Sequence, residues 1–132
     1  MENQSPILPE KLFPAEIHTI AVVAPAGPPP VDRLNAGIAA LEAMGRKVVA
    51  TPTLFARGES SYLAERLEAR LEDFNRAIRD PEIDLILCAR GGFGSVHLLP
   101  GLDWETLTRR KLPVMGYSDI TAIHGAMLAR RA

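Results

Sequence analysis

Ile83-Asp84-Leu85-Ile86-Leu87-Cys88-Ala89 runs without a break into Arg90-Gly91-Gly92-Phe93-Gly94-Ser95. The first seven residues are almost continuously apolar, as a strand covered on both faces requires, and the glycine-rich run after them ends it in a loop. Upstream, Leu63, Leu67, Leu71, Phe74 and Ile78 recur at helical spacing and stop at Asp80-Pro81, which predicts a long helix packed on that strand. A polar loop over residues 55–61 separates it from a strand over 47–51. Before that, Leu34, Ile38, Leu41 and Met44 share one face of a helix over 31–44, with Asp32 near its start and Gly45 at its end. A β-branched run over 18–24 forms the first strand and meets Pro25-Ala26-Gly27. Downstream, short helices over 95–99 and 103–109 lead to a fourth strand over 112–115, then Gly116-Tyr117-Ser118-Asp119 and a helix from 120 to the end. The order β-α-β-α-β-α-β-α, with long crossovers, predicts an α/β fold: a doubly wound, mostly parallel sheet with helices on both faces. Ligands of such sheets sit beyond the carboxyl ends of the strands, where all three unusual loops fall.

The chain has 132 residues, 47% of them apolar and 23% charged, with a net charge of -1. This is enough for one domain to bury roughly two-thirds of its unfolded surface without staples. Cys88 is the single cysteine, so no internal disulfide forms. Fifteen basic and sixteen acidic residues nearly cancel, which argues against a nucleic-acid partner. The sequence has no run of about 18 apolar residues to enter a membrane and no basic-then-apolar signal segment, so a cytoplasmic protein is expected. Residues 1–16, with Pro6, Pro9 and Pro14, read as an extended arm, and 17–132 as the α/β domain. Residues 127–132 end in an apparent helix with no visible cap, which suggests that the chain is a fragment.

Gly116-Tyr117-Ser118-Asp119 lies where a strand turns sharply into a helix, the setting that holds a nucleophilic serine on a tight turn. The helix start supplies free N–H groups and partial positive charge, so the amide of Asp119 is placed to stabilise an oxyanion. The elbow pattern Gly-x-Ser-x-Gly fails at its last position, where Ile120 stands. Ser118 or Asp119 acting simply as an N-cap is the competing account. The glycine run lets backbone approach a ligand closely, yet it is neither a Walker A loop nor Gly-x-Gly-x-x-Gly, because His97 replaces the third glycine. A plain turn is the alternative. Ser95 is a rival nucleophile that reads better as a helix cap. A serine needs a base. His124, six residues past Ser118 on one helix, is about 9 Å along the axis and on another face; His97 is a loop histidine; His18 starts the first strand at the wrong end. No histidine is a convincing base, no metal site has ligand spacing, and no cofactor is called for. Cys88 reads as buried and inert, Trp104 as a packing anchor, and Arg109-Arg110-Lys111 as a small basic patch on a solvated turn.

Taken together and in order, residues 89–95, Leu98-Leu99-Pro100 with Leu102-Asp103-Trp104-Glu105, and residues 116–124 resemble the N-terminal half of the serine LD-carboxypeptidases, a family that includes the microcin C immunity peptidases. Pro25-Ala26-Gly27 fits the same pattern, and Phe93 stands where a tyrosine is common. The resemblance implies a flavodoxin-like sheet, akin to class I glutamine amidotransferases, with Ser118 as nucleophile and an oxyanion hole of backbone N–H groups from Gly92 and Asp119. It assigns Arg90, Gly91 and Tyr117 to substrate binding. It places a triad glutamate and histidine in a C-terminal domain outside these residues, and implies a homodimer of the whole protein. The implied reaction is metal-free hydrolysis of the L,D-amide bond before the terminal D-alanine of a murein tetrapeptide, with this domain inactive alone. A microcin-type peptidase cleaving a peptide-nucleotide conjugate, and a non-catalytic small-ligand or nucleotide-binding domain, are the alternatives.

Overall fold

The computed structural model describes residues 12–56 and 63–132. Residues 1–11 of the expected arm and 57–61 of the expected polar loop lie outside them. Four parallel strands, β1 (Thr19–Val23), β2 (Lys47–Ala50), β3 (Leu85–Cys88) and β4 (Val114–Met115), lie in the order β2-β1-β3-β4. The doubly wound α/β expectation is met. The order reverses direction between β1 and β3, and such a switch opens a crevice at the carboxyl ends of those two strands.

Alternation along the strands sorts side chains between two layers. Ile20, Val22 and Leu85 pack with Leu34 and Leu41 of α1 (Val31–Ala43), joined by Phe13 and Ile17. Ala21, Val23, Ile86 and Cys88 face the opposite side. There they meet Phe74 and Ile78 of α2 (Leu67–Arg79), Leu107 of α3 (Trp104–Arg110) and Ile123 of α4 (Thr121–Arg130). All five residues of β1 are buried, because this strand is paired on both edges and covered on both faces.

Several boundaries differ from the sequence reading. The long helix begins at Leu67, not Leu63, because the chain before it is held elsewhere: the Ala64 N–H donates to the Ala26 carbonyl at 2.8 Å, and Arg66 is extended. Strand β4 pairs through two residues, since Pro113 has no N–H to give and only its carbonyl bonds, to Ile86 N–H. Arg110 is no solvated patch residue. Its guanidinium donates to the carbonyls of Ile78 at 2.7 Å and Ile83 at 2.6 Å, closing the end of α2 against the approach to β3. The last helix does have a cap within the chain: Arg131 is left-handed at φ 55° and its N–H returns to the Leu128 carbonyl.

Candidate active site

The turn after β4 is strained at one residue. Tyr117 is extended, Ser118 takes φ +57°, and a short 3-10 turn over Ser118–Ile120 passes directly into α4. A non-glycine side chain in the left-handed region costs about 1–2 kcal/mol, and such strain points to function when an ordinary turn would serve. Ser118 is exposed on this turn while Ile120 beneath it is fully buried. The missing second glycine of the elbow pattern now has an explanation. A Cβ on Gly116 would stand 2.7 Å from the Ile120 Cγ2, so the glycine at 116 makes the room that the isoleucine at 120 fills.

Close backbone approach brings the glycine run to the serine. A Cβ on Gly91 would lie 3.1 Å from Ser118 Cβ, 3.2 Å from the Tyr117 carbonyl oxygen and 3.3 Å from Asp119 N, so the absence of a side chain lets the two backbones pack this closely. The Asp119 N–H lies in the first helical turn, where amides have no intrahelical acceptor. Gly92 follows at φ +123°, and the Gly91 carbonyl is fixed by the Gly27 N–H at 3.1 Å. The loops after β1, β3 and β4 therefore meet at one point.

Asp119 and Ser95 lock these loops together. The Asp119 carboxylate accepts the Ser95 N–H at 2.9 Å, and the Ser95 hydroxyl donates to the Asp119 carbonyl at 2.7 Å. This corrects two readings. Asp119 caps the turn that starts at Ser95 and makes no side-chain cap on its own helix, and Ser95 is fully buried with its proton committed, which removes it as a rival nucleophile.

The other candidates separate. Tyr117 is 76% exposed. The Arg90 side chain turns back to donate to the Pro28 carbonyl at 2.9 Å, and both residues line a groove of about 610 Å³ between α1 and β3–β4. His124 holds the Val114 carbonyl at 2.9 Å, His97 meets the Phe93 ring edge-on at 5.6 Å, and His18 precedes β1 at the far end of the sheet. None of the three hydrogen-bonds Ser118. Cys88 is buried, and desolvation pushes its thiol up to about 12, which keeps it protonated and inert. Trp104 anchors α3 through Nε1 to the Leu99 carbonyl at 2.8 Å.

Arg70 was missed by the sequence reading. It is 3% exposed beneath the glycine run, donating from Nη1 to the carbonyls of Pro25 at 2.6 Å and Gly94 at 3.2 Å, and from Nε to Glu65 at 2.8 Å. Burial lowers its pKa, opposed by the negative charges of Asp119 and then Glu68. Its signal was available: position 70 lies on the apolar stripe of 67, 71, 74 and 78, where a charge needs an explanation.

Comparison with known proteins places this geometry. The family description "LD-carboxypeptidase N-terminal domain" matches residues 20–132. The chain is 39% identical over 108 residues to the murein tetrapeptide carboxypeptidase of Pseudomonas aeruginosa, covering 81% of this chain and 34% of that protein. Among solved structures, the wild-type microcin C7 self-immunity protein MccF superposes with a TM-score of 0.81 at 28% identity, covering 89% of this chain and 35% of that one. A muramoyltetrapeptide carboxypeptidase from Oxalobacter formigenes superposes with a TM-score of 0.76 at 27% identity, covering 86% and 38%. The chain spans 34% to 40% of the length of three curated relatives that it matches.

Proposed function

The chain belongs to the LD-carboxypeptidase family as its N-terminal domain, and from that premise we propose that it supplies the nucleophile of a serine peptidase that releases terminal D-alanine from a murein tetrapeptide in the cytoplasm. The observation that carries this reading is Ser118, held exposed at φ +57° between strand and helix, with Gly91 packed closely against it and against the Asp119 amide nitrogen. Ser118 Oγ attacks the carbonyl carbon of the L,D-amide. The resulting oxyanion is met by the N–H groups of Asp119 and Gly92, with Arg90, Gly91 and Tyr117 contacting the peptide.

A serine of ordinary pKa needs a base within hydrogen-bond reach, and none of the three histidines here has that geometry. The base, a histidine oriented by a glutamate, comes from outside these 132 residues. It takes the Ser118 proton and gives it to the departing D-alanine amine; water then hydrolyses the acyl-enzyme. The isolated domain is accordingly inactive, and the full-length protein works as a homodimer.

The similarity to MccF supports a second substrate class, a peptide-nucleotide conjugate. The test is to assay full-length protein and its Ser118→Ala variant on both a murein tetrapeptide and an aminoacyl-nucleotide amide. The expected result is D-alanine release by the parent and its loss in the variant. Turnover retained by Ser118→Ala would overturn the serine assignment, while cleavage of the nucleotide conjugate alone would move the protein to the microcin class.

A further inference from the structure

We propose that Arg70 is a positioning residue for the Ser118 oxyanion site: its buried guanidinium holds the glycine run and the serine turn in one fixed arrangement. The proposal rests on the serine peptidase reading and goes beyond it by naming what keeps the site preorganised.

A guanidinium offers five N–H donors in a rigid plane, which lets one side chain tie several carbonyls at fixed angles. Here that plane reaches three segments distant in sequence: Pro25 after β1, Glu65 before α2, and Gly94 within the run after β3. The fit at Gly94 is built for it. Gly94 has φ +105°, and a Cβ there would lie 2.8 Å from Leu63 Cδ2 and 3.3 Å from Arg70 Nη1, so a side chain would strain the loop and crowd both Leu63 and the guanidinium. The next residue, Ser95, carries the restraint onward through its two hydrogen bonds to Asp119, the residue whose own amide faces the reacting oxygen. Three hydrogen bonds thus link the Arg70 fork to the residue whose N–H lies beside Ser118.

Charge gives the arrangement a second purpose. A cation nearly removed from water is costly unless compensated, and Asp119 is the main negative charge acting on it. A neutral scaffold residue would leave Asp119 without that counter-charge, and a lysine would keep the charge while losing the planar fork. Because Arg70 itself donates to backbone carbonyls and does not touch the reacting atoms, its loss affects how accurately the donors are held. A displacement near 1 Å costs about 100-fold in rate.

The test uses full-length protein carrying Arg70→Lys and Arg70→Ala, with Ser118→Ala as reference, measured for kcat, KM, thermal unfolding and rescue by added guanidinium or methylguanidinium. The expected result for Arg70→Lys is a folded protein with kcat lowered about 100-fold and KM essentially unchanged. Arg70→Ala is expected to regain part of its kcat when low concentrations of the guanidinium ion refill the cavity. Parental kcat in either variant would overturn the proposal. So would a loss of activity that only tracks loss of folded protein, with no rescue and with Arg70→Lys equally unfolded. Turnover by Ser118→Ala would overturn the serine reading itself, and this proposal with it; an inactive Ser118→Ala beside a fully active Arg70→Lys would overturn this proposal alone.

Discussion

The two ends of the sheet are held by the same device and used differently. At the amino end, the Asp84 carboxylate accepts the N–H groups of His18 and Thr19, both at 2.9 Å, and Arg110 ties the exit of α2 to the entry of β3. At the carboxyl end, Asp119 accepts Ser95 N–H and Arg70 gathers carbonyls. The amino end has left-handed residues, Gly45 at φ +81° and Lys111 at φ +51°, but each stands just past the end of a helix, where that conformation is ordinary. The carboxyl end holds Gly92, Gly94 and Ser118 at positive φ within closely packed loops, with Phe93 and Tyr117 exposed beside them. The same backbone conformation therefore closes helices at one end and, at Ser118, holds an exposed hydroxyl at the other.

The contrast breaks first at Ser118. Ser118→Ala should lower kcat by about 10⁴-fold or more in the full-length protein, as loss of a nucleophile does, and leave the melting temperature nearly unchanged. Ser118→Gly should be equally inactive yet more stable by about 1 kcal/mol, since glycine relieves the left-handed penalty; equal stability of the two variants in denaturant titration would mean that the turn is not strained.

Gly91→Ala comes next. Its methyl group would stand 3.1 Å from Ser118 Cβ and 3.3 Å from Asp119 N and push these loops apart, so a fall in kcat of about 100-fold is expected, the size seen when one oxyanion donor is lost. A variant with parental kcat would show that this close approach does not hold the oxyanion site. Gly116→Ala sets a methyl against the Cβ and both Cγ atoms of buried Ile120 and should cost about 1–3 kcal/mol of stability as overpacking does; parental stability in denaturant titration would show that the turn yields without cost.

The smallest effect lies at the amino end. Asp84→Ala leaves two amides without their acceptor and should lower stability by about 1–3 kcal/mol while kcat stays at the parental level. The hydrogen bond from Thr19, then that from His18, holds the Asp84 carboxyl below its ordinary value of 3.8. A carboxyl whose folded pKa is depressed contributes stability that is complete above the unfolded value and is lost as pH falls through the folded one. Acid unfolding of the parent should therefore show a loss beginning near pH 4 that is smaller in Asp84→Ala, where Asp103, held low chiefly by its hydrogen bond from Arg79, still contributes; identical acid profiles would remove the Asp84 carboxylate from this account.

The alternation of Ile20, Val22 and Leu85 against Ala21, Val23 and Ile86, and the stripes at Leu34 and Phe74, are local periodicities, and with them the parallel α/β arrangement was legible from residues alone. So were Ser118 and the glycine run as unusual strand-end loops. Local pattern also misled: the apolar period extends the long helix back to Leu63, although a bond to Ala26 in the first loop ends it at Leu67, and a basic triplet conceals Arg110 folded onto two carbonyls. Ser95 and Asp119 each look like a cap for the nearest helix, but each finds its partner 24 residues away.

Element type, order and the loops able to carry chemistry follow from hydrophobic period and glycine placement, because these act between residues a few positions apart. Strand order, the meeting of Gly91 with Ser118 and the burial of Arg70 beneath three loops depend on which surfaces pack together. Those contacts join residues as far as 65 positions apart, as Ile20 and Leu85 are, where neither spacing nor propensity specifies a partner, and only the folded chain selects them.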